Sequence, residues 1–382
     1  MSDDAQPLPA EAPAVVIGAG PAGLAAAAEL KRVGIPALVL DAAHEVGSSW
    51  GTHYDRLHLH TARALSSLPG YAIPRARGQW VARDDFRGYL ADYAVHHGLD
   101  VRLGTAVMSV TRHPDDSWSV GAAGALIRTR FLIVATGYNH TASLPDWPGL
   151  GEYSGRVIHS SEYRSPAALD ARTVLVVGPG NSGAEIAADL AGAGVTTSLA
   201  VRTPPNIVRR SVLGIPSQVL VLSVSPLPAR VADRVARLLQ RVTVGDLGRF
   251  GLPYASRGLV TAMERDDATP TIDVGLIDAV RSGRVRVVPA VEAFTADAVR
   301  LADGAELRPD VVVAATGYRR GLDELFGGLD VIAASGRPRI NGAQQLRSKP
   351  GLFFLGYSNP LTGNLRQLGI DARAIAKAAT AS

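Results

Sequence analysis

The sequence predicts an α/β chain of two parallel-sheet domains, the first interrupted by the second, with a helical insertion in the second. Three observations carry that expectation. An apolar strand-like run feeds a glycine-rich turn and an alanine-rich helix twice, at Gly18 and again at Gly178. Two further apolar runs, at 131–134 and 311–314, each close on Ala-Thr-Gly-Tyr. The 382 residues are 47% hydrophobic and 19% charged, enough for two large aliphatic cores and unlike a disordered chain.

In chain order, residues 1–14 are acidic and Pro/Ala-rich without a basic stretch, and read as a flexible leader and not a signal peptide. Val15-Val16-Ile17 then leads into Gly18-Ala-Gly20-Pro-Ala-Gly23 and a helix from Leu24 to about Val33, which Gly34 stops. Val174 to Val177 leads likewise into Gly178-Pro-Gly180-Asn-Ser-Gly183 and a helix through about Ala191. The glycines of such a turn allow a tight bend, close approach to a pyrophosphate, and packing of helix on strand, with the phosphate on helix N-terminal amides. Both units are therefore Rossmann-like dinucleotide-binding turns, and a side chain at Gly18 is expected to occupy the pyrophosphate's place.

The residue ending the next strand separates the two sites. Residues 37–40 end at Asp41, whose carboxylate can accept both ribose hydroxyls of an unphosphorylated dinucleotide, FAD or NAD. Residues 198–201 end at Arg202, followed by Thr203, Arg209 and Arg210, and a cation there suits the 2′-phosphate of NADPH. At the two Ala-Thr-Gly ends, Thr136-Gly137 and Thr316-Gly317, small residues let a chain crossing or a cofactor come close. Hairpins are expected between 101–110 and 117–120, and between 285–288 and 298–301. The domains follow as 1–155 plus 306–382 for FAD and 156–305 for NADPH. Residues 211–265 interrupt the second as helices packed over the active site. Arg230, Arg234, Arg237 and Arg241 at near-helical spacing leave a peripheral membrane or partner contact open.

Composition removes several function classes. With no cysteine, disulfides, iron–sulfur clusters, thiolate catalysis and Cys-based zinc sites are excluded, so redox chemistry needs a bound organic cofactor, and no metal is expected. A balance of 39 basic to 35 acidic residues is too even to imply nucleic-acid binding. No apolar run reaches the ~20 residues that span a bilayer, so a cytoplasmic protein is expected; a homodimer stays open.

The stretch between the two turns goes further. Tyr153-Ser-Gly155-Arg-Val-Ile-His159-Ser-Ser-Glu-Tyr163 resembles the F/Y-x-G-x-x-x-H-x-x-x-Y/F fingerprint of class B flavin-dependent monooxygenases. Tyr163, where Baeyer–Villiger relatives place Trp, points to the flavin-containing monooxygenase branch. Within it the chain is most similar to the YUCCA-type monooxygenases over residues 18–321. Trp50, the run from Tyr54 to His60, Val201-Arg202-Thr203 and the run from Thr271 to Ile277 carry the likeness.

The resemblance implies FAD on Gly18, Gly20, Gly23, Asp41, Trp50, Thr136, Gly137 and Leu365. It implies NADPH on Gly178, Gly180, Asn181, Ser182, Gly183, Arg202 and Thr203, with Thr316 and Gly317 at that nucleotide or at the domain interface. Catalytic duties fall to His60, Trp50, Arg56 and Asn359, and an organising role to His159. The implied reaction is NADPH- and O2-dependent oxidative decarboxylation of an arylpyruvate such as indole-3-pyruvate, through a C4a-(hydro)peroxyflavin. Arg56 and Arg366 are candidate partners for the substrate carboxylate. N- or S-hydroxylation, Baeyer–Villiger oxidation, an NADPH-dependent reductase of an electron carrier and a non-catalytic flavoprotein stay open.

Two departures qualify the likeness. His60 stands where many flavin-containing monooxygenases carry an Asn near the flavin, a feature shared with the YUCCA-like group. Near the C-terminus Gly356-Tyr357-Ser358-Asn359 lacks the Asp of the flavin disulfide reductase signature, so Asn359 or the amides of 362–365 would meet the flavin, with a helix from about 366 to 379 aimed at it.

Overall fold

A computed structural model describes residues 7–224, 227–266, 268–358, 360 and 362–381. It divides into two compact units. The first comprises the chain through Gly51, Ala62–Thr141 and the chain from Arg319; the second comprises Thr52–Thr61 and Ala142–Tyr318.

In the first unit, strands Glu11–Ile17, Ala37–Leu40 and Asp100–Arg102 run parallel. On the other flank of Glu11–Ile17 lies Ala125–Val134, also parallel, with Leu352–Phe354 beside it, while Trp118–Ala122 and Val107–Arg112 extend the sheet antiparallel. Val15, Leu38, Leu132, Trp118 and Phe354 share one buried cluster. Helices on the sheet explain why its parallel strands read as unbroken apolar runs and not as alternation. The helix Pro21–Arg32 begins with proline at its first position and buries Ala22 through Leu30.

The second unit holds five parallel strands in the spatial order Val285–Val288, Thr196–Ala200, Thr173–Val177, Val311–Ala314, Arg156–His159. A three-stranded antiparallel sheet of Val291–Phe294, Val299–Leu301 and Glu306–Leu307 accompanies it.

Three expectations need correction. The leader is shorter than residues 1–14, because Glu11 already pairs with Arg128 and the carbonyl of Ala10 accepts from the Arg128 N–H at 2.8 Å. Val311–Ala314 joins the second unit, since its backbone is bonded along Val174–Val177 on one side and Arg156–His159 on the other. Val285–Val288 is no hairpin arm: it runs parallel to Thr197–Ala200, and Val299–Leu301 takes Val291–Phe294 as its partner.

The insertion consists of a small hairpin, Ser211–Val212 with Ile215–Pro216, and helices Ser217–Val224, Ala229–Thr243 and Leu259–Asp266. An amphipathic helix ordinarily turns its apolar face inward. Ala229–Thr243 does the reverse: Asp233 accepts from the backbone N–H of Val260 at 2.7 Å and Arg237 donates to the carbonyl of Ala255 at 2.6 Å, holding a polar face inward. Val231, Leu238 and Val242 are left 40%, 63% and 78% exposed. Among the described residues, no helix is long and apolar enough to cross a membrane.

Candidate active site

The two glycine turns are built alike. Gly18 has φ +109° and a Cβ there would strike the carbonyl oxygen of Ala135; Gly178 has φ +107° and its Cβ would lie 2.5 Å from the carbonyl oxygen of Ala315. Each turn thus leans on the Ala-Thr-Gly end of its own unit. At the third glycines, Gly23 and Gly183, a Cβ would strike the carbonyl oxygen of Gly18 and of Gly178. Only Gly20 and Gly180 face open space, with nothing within 4 Å of an added Cβ. The open position of the first turn is therefore Gly20, whereas the space beside Gly18, where the sequence suggests a pyrophosphate, is filled by protein backbone. Both middle glycines cap helices, Pro21–Arg32 and Asn181–Gly192, without any side-chain cap, so the first N–H groups stand ready for an anion.

In the first unit, Asp41 accepts from the N–H of Ala19 at 2.6 Å and of Ala43 at 2.8 Å, one to each oxygen. Each oxygen keeps a lone pair for a ribose hydroxyl. Thr136 shares a 2.8 Å hydrogen bond with the hydroxyl of Tyr357, whose pKa burial pushes up to about 12. Gly137 carries φ +96°. Trp50 lies half-buried with its ring edge-on to Phe86 at 4.5 Å. Leu365 is buried at the start of the terminal helix Asn364–Ala381, and Arg366 lines a cleft of about 540 Å³ with Tyr71 and Arg373. Asn359 lies outside the described residues.

In the second unit, Arg202 and Thr203 are exposed past the end of Thr196–Ala200. Arg209 does not assist them: it donates to the carbonyl of Thr243 at 2.7 Å and lies 3.6 Å from Asp273. Arg210 is half-buried, and desolvation lowers its pKa. Asn181 gives its side chain to the protein, accepting from the N–H of Ile272 at 2.7 Å and donating to the carbonyl of Pro270 at 3.2 Å. Its backbone N–H and that of Ser182 remain at the helix start. Thr316 donates to the carbonyl of Ser143 at 2.5 Å.

The fingerprint motif has a structural use within this unit. Gly155 has no side chain because a Cβ would strike the ring of Tyr153, which packs edge-on to Phe294 at 5.0 Å. His159 is buried; its Nδ1 accepts from the N–H of Ser161 at 3.1 Å and its Nε2 donates to the carbonyl of Gly317 at 3.1 Å. It therefore ties the motif to the Thr316-Gly317 turn in its neutral form. Burial disfavours the charged ring and lowers its pKa, so protonation favours the unfolded chain. Stability on this account is full above about pH 6.5 and falls as the pH drops below it. His159→Gln, which can replace both bonds without titrating, should lose less Tm than the parent between about pH 7.5 and 5.5. Equal losses by differential scanning fluorimetry would contradict this account.

The segment Thr52–Thr61 is fastened to the helix Asn181–Gly192 at two acids one turn apart. Buried Glu185 holds the Nε2 of His60 and receives the Tyr54 hydroxyl. Asp189 accepts from the Tyr163 hydroxyl at 2.8 Å and pairs with Arg56 at 3.4 Å, while Arg56 also reaches the carbonyl of Val274 at 3.4 Å. Arg56 is thus held by protein groups, which weakens its claim as the free cation for a carboxylate. Glu185 and Asp189 are functional candidates that the sequence reading overlooks. Their signal is two acids at i, i+4 on a helix otherwise made of small and apolar residues. Among the described residues, no group of three or more His, Cys, Asp or Glu could hold a metal.

Residues 15–213 match the pyridine nucleotide-disulphide oxidoreductase family. The absence of cysteine removes the redox disulphide of that name from this chain. The chain is 33% identical to the indole-3-pyruvate monooxygenase YUCCA1 of Oryza sativa subsp. japonica, over 90% of this chain and 86% of that protein. It is 30% identical to the probable indole-3-pyruvate monooxygenase YUCCA3 of Arabidopsis thaliana, over 95% and 85%. Among solved structures, a flavin-containing monooxygenase from Stenotrophomonas maltophilia superposes with a TM-score of 0.75 at 27% identity, covering 97% of this chain and 98% of that one. The open structure of cyclohexanone monooxygenase, at 19% identity and a TM-score of 0.71 over 97% and 88%, shares the fold. The two complete dinucleotide turns and these likenesses agree, and the chain belongs to the flavin monooxygenases, in the group of the YUCCA-type indole-3-pyruvate monooxygenases.

Proposed function

We propose that the chain is an FAD-containing monooxygenase that uses NADPH and O2 to convert an arylpyruvate such as indole-3-pyruvate to the arylacetate, as a cytoplasmic enzyme of small molecules. Per turnover, one keto acid, one O2, one NADPH and one proton give one arylacetate, one CO2, one NADP⁺ and one water. The observation that carries the cofactor reading is the pair of open cradles at Gly20 and Gly180, one followed by Asp41 and the other by Arg202. The first unit fits FAD: uncapped helix amides take the pyrophosphate and Asp41 takes the ribose hydroxyls. The second fits NADPH, with Arg202 and Thr203 at the 2′-phosphate and the amides of Asn181 and Ser182 at the pyrophosphate.

Bound FAD, reduced by NADPH, supplies the activation of O2. The chain's own contribution is positioning. His60 is oriented by Glu185 so that, in the neutral ring, Nε2 carries the proton toward the carboxylate and Nδ1 keeps its lone pair. Arg366, on the helix beside Leu365, is the better candidate for the substrate carboxylate, since Arg56 is paired with Asp189.

The test mixes NADPH-reduced holoenzyme with O2, with and without indole-3-pyruvate, and measures indole-3-acetate and H2O2 per NADPH. Near one acetate per NADPH with little peroxide is expected. Peroxide alone with the keto acid, together with turnover of amines, sulfides or ketones, would move the enzyme to another substrate class within the monooxygenases.

A further inference from the structure

The geometry of the second unit assigns Glu185 and Asp189 a role beyond packing: we propose that they are positioning residues that fasten Thr52–Thr61 to the helix whose N-terminus carries NADPH, so that occupancy of the nucleotide site fixes the His60 imidazole. This rests on reading the second glycine turn as the NADPH site. Thr52–Thr61 contains no helix or strand, so its placement depends on what grips it. The grips converge on one helix face: Glu185 on His60 and Tyr54, Asp189 on Arg56. The N–H of Asp55 also donates to the carbonyl of Arg164 at 2.9 Å, and Arg56 reaches the carbonyl of Val274.

Three features make this a coupling device and not passive burial. Glu185 and Asp189 follow the open cradle at Gly180 by about one and a half and two and a half helical turns, so an anion that orders the helix start also orders the side chains gripping the segment. Tyr54 is buried, and burial followed by the charge of Glu185 raises its pKa, so its hydroxyl remains a donor to that carboxylate. His60 and Arg56 are separate attachments, so the segment is held near both ends of the run from Arg56 to His60.

Hydrogen exchange of the full FAD-loaded chain, with and without NADP⁺, reads the coupling directly. In the parent, NADP⁺ should slow exchange both at 178–183 and at 54–60, the latter by about tenfold. Glu185→Met keeps side-chain length but removes the acceptor. It should cut the slowing at 54–60 to about twofold while leaving that at 178–183 intact, and NADP⁺ affinity should fall by the same factor. Glu185→Gln, which keeps an acceptor for Nε2–H, should restore most of the effect. Should Glu185→Met fail to fold, Asp189→Leu carries the same test from the Arg56 end. Undiminished slowing at 54–60 in the folded variants overturns the inference, as does parent protein protected at 178–183 alone. Protection at neither place in the parent refutes the nucleotide site itself, and the inference with it.

Discussion

Gly180→Val should give a folded, yellow protein that NADPH reduces at least about a hundredfold more slowly, and Gly20→Val a folded protein that emerges without FAD. The argument is conformational as well as steric. Gly20 has φ −80° and ψ −177°, and Gly180 φ −66° and ψ −180°, both ordinary extended backbone that a β-branched residue adopts without strain. An added side chain at either meets no protein atom within 4 Å, so the fold has no reason to object. What the isopropyl group does obstruct is the approach of a pyrophosphate to the helix amides, where losing two or more charge-assisted hydrogen bonds costs about 1.5–3 kcal/mol each. The neighbouring glycines behave differently. Gly18→Val and Gly178→Val drive a Cβ into a carbonyl of the adjoining strand at a positive φ, so they should reduce soluble yield and Tm before any cofactor is considered. Flavin content, Tm and the anaerobic rate of reduction by NADPH separate the four variants. Yellow holoenzyme from Gly20→Val, or normal NADPH reduction in Gly180→Val, would remove the phosphate from these cradles.

Arg202→Ala should raise the KM for NADPH by about ten- to a hundredfold and leave NADH within about twofold, matching one or two hydrogen bonds to a charged group. Arg202 is suited to this because it is exposed and makes no hydrogen bond or ion pair among the described residues, whereas Arg209 is engaged by Thr243 and Asp273. Arg209→Ala should therefore act mainly on stability, through Asp273, which accepts from the N–H of Ile277 at 3.0 Å at the start of the next helix. Equal losses for both coenzymes in Arg202→Ala would contradict the assignment to the 2′-phosphate.

Much of this was legible in the residues. The glycine spacing marked both helix starts, and the strand ends at Asp41 and Arg202 are where the two turns differ, because these are local patterns with local causes. The neighbour of a strand is not local. The runs at 131–134 and 311–314 look interchangeable, and only the pairing shows them apart, the first beside 14–17 and the second beside 174–177. Gly18 misled for the same reason, since an empty Cβ position can belong to a ligand or to backbone far along the chain. Asn181 looked like a ligand residue, yet its amide holds residues 270–272 in place. Glu185 and Asp189 escaped notice because their partners arrive from residues 54–60 by tertiary contact.

The pairing of Leu352–Phe354 with Leu132–Val134, and of the terminal helix with Pro21–Arg32, bears on how the chain matures. During synthesis the second unit has every strand of its sheet once residue 318 has emerged, while the first still lacks the strand Leu352–Phe354 and the helix Asn364–Ala381. Domains generally fold as their segments become available, and pairings between distant segments form slowly. The nascent chain should thus complete the later-encoded unit first and hold the earlier one ajar. Flavin should then be loaded last, and a nascent chain stalled at the point where residue 318 has just left the ribosome should retain the pyridine nucleotide but not the flavin.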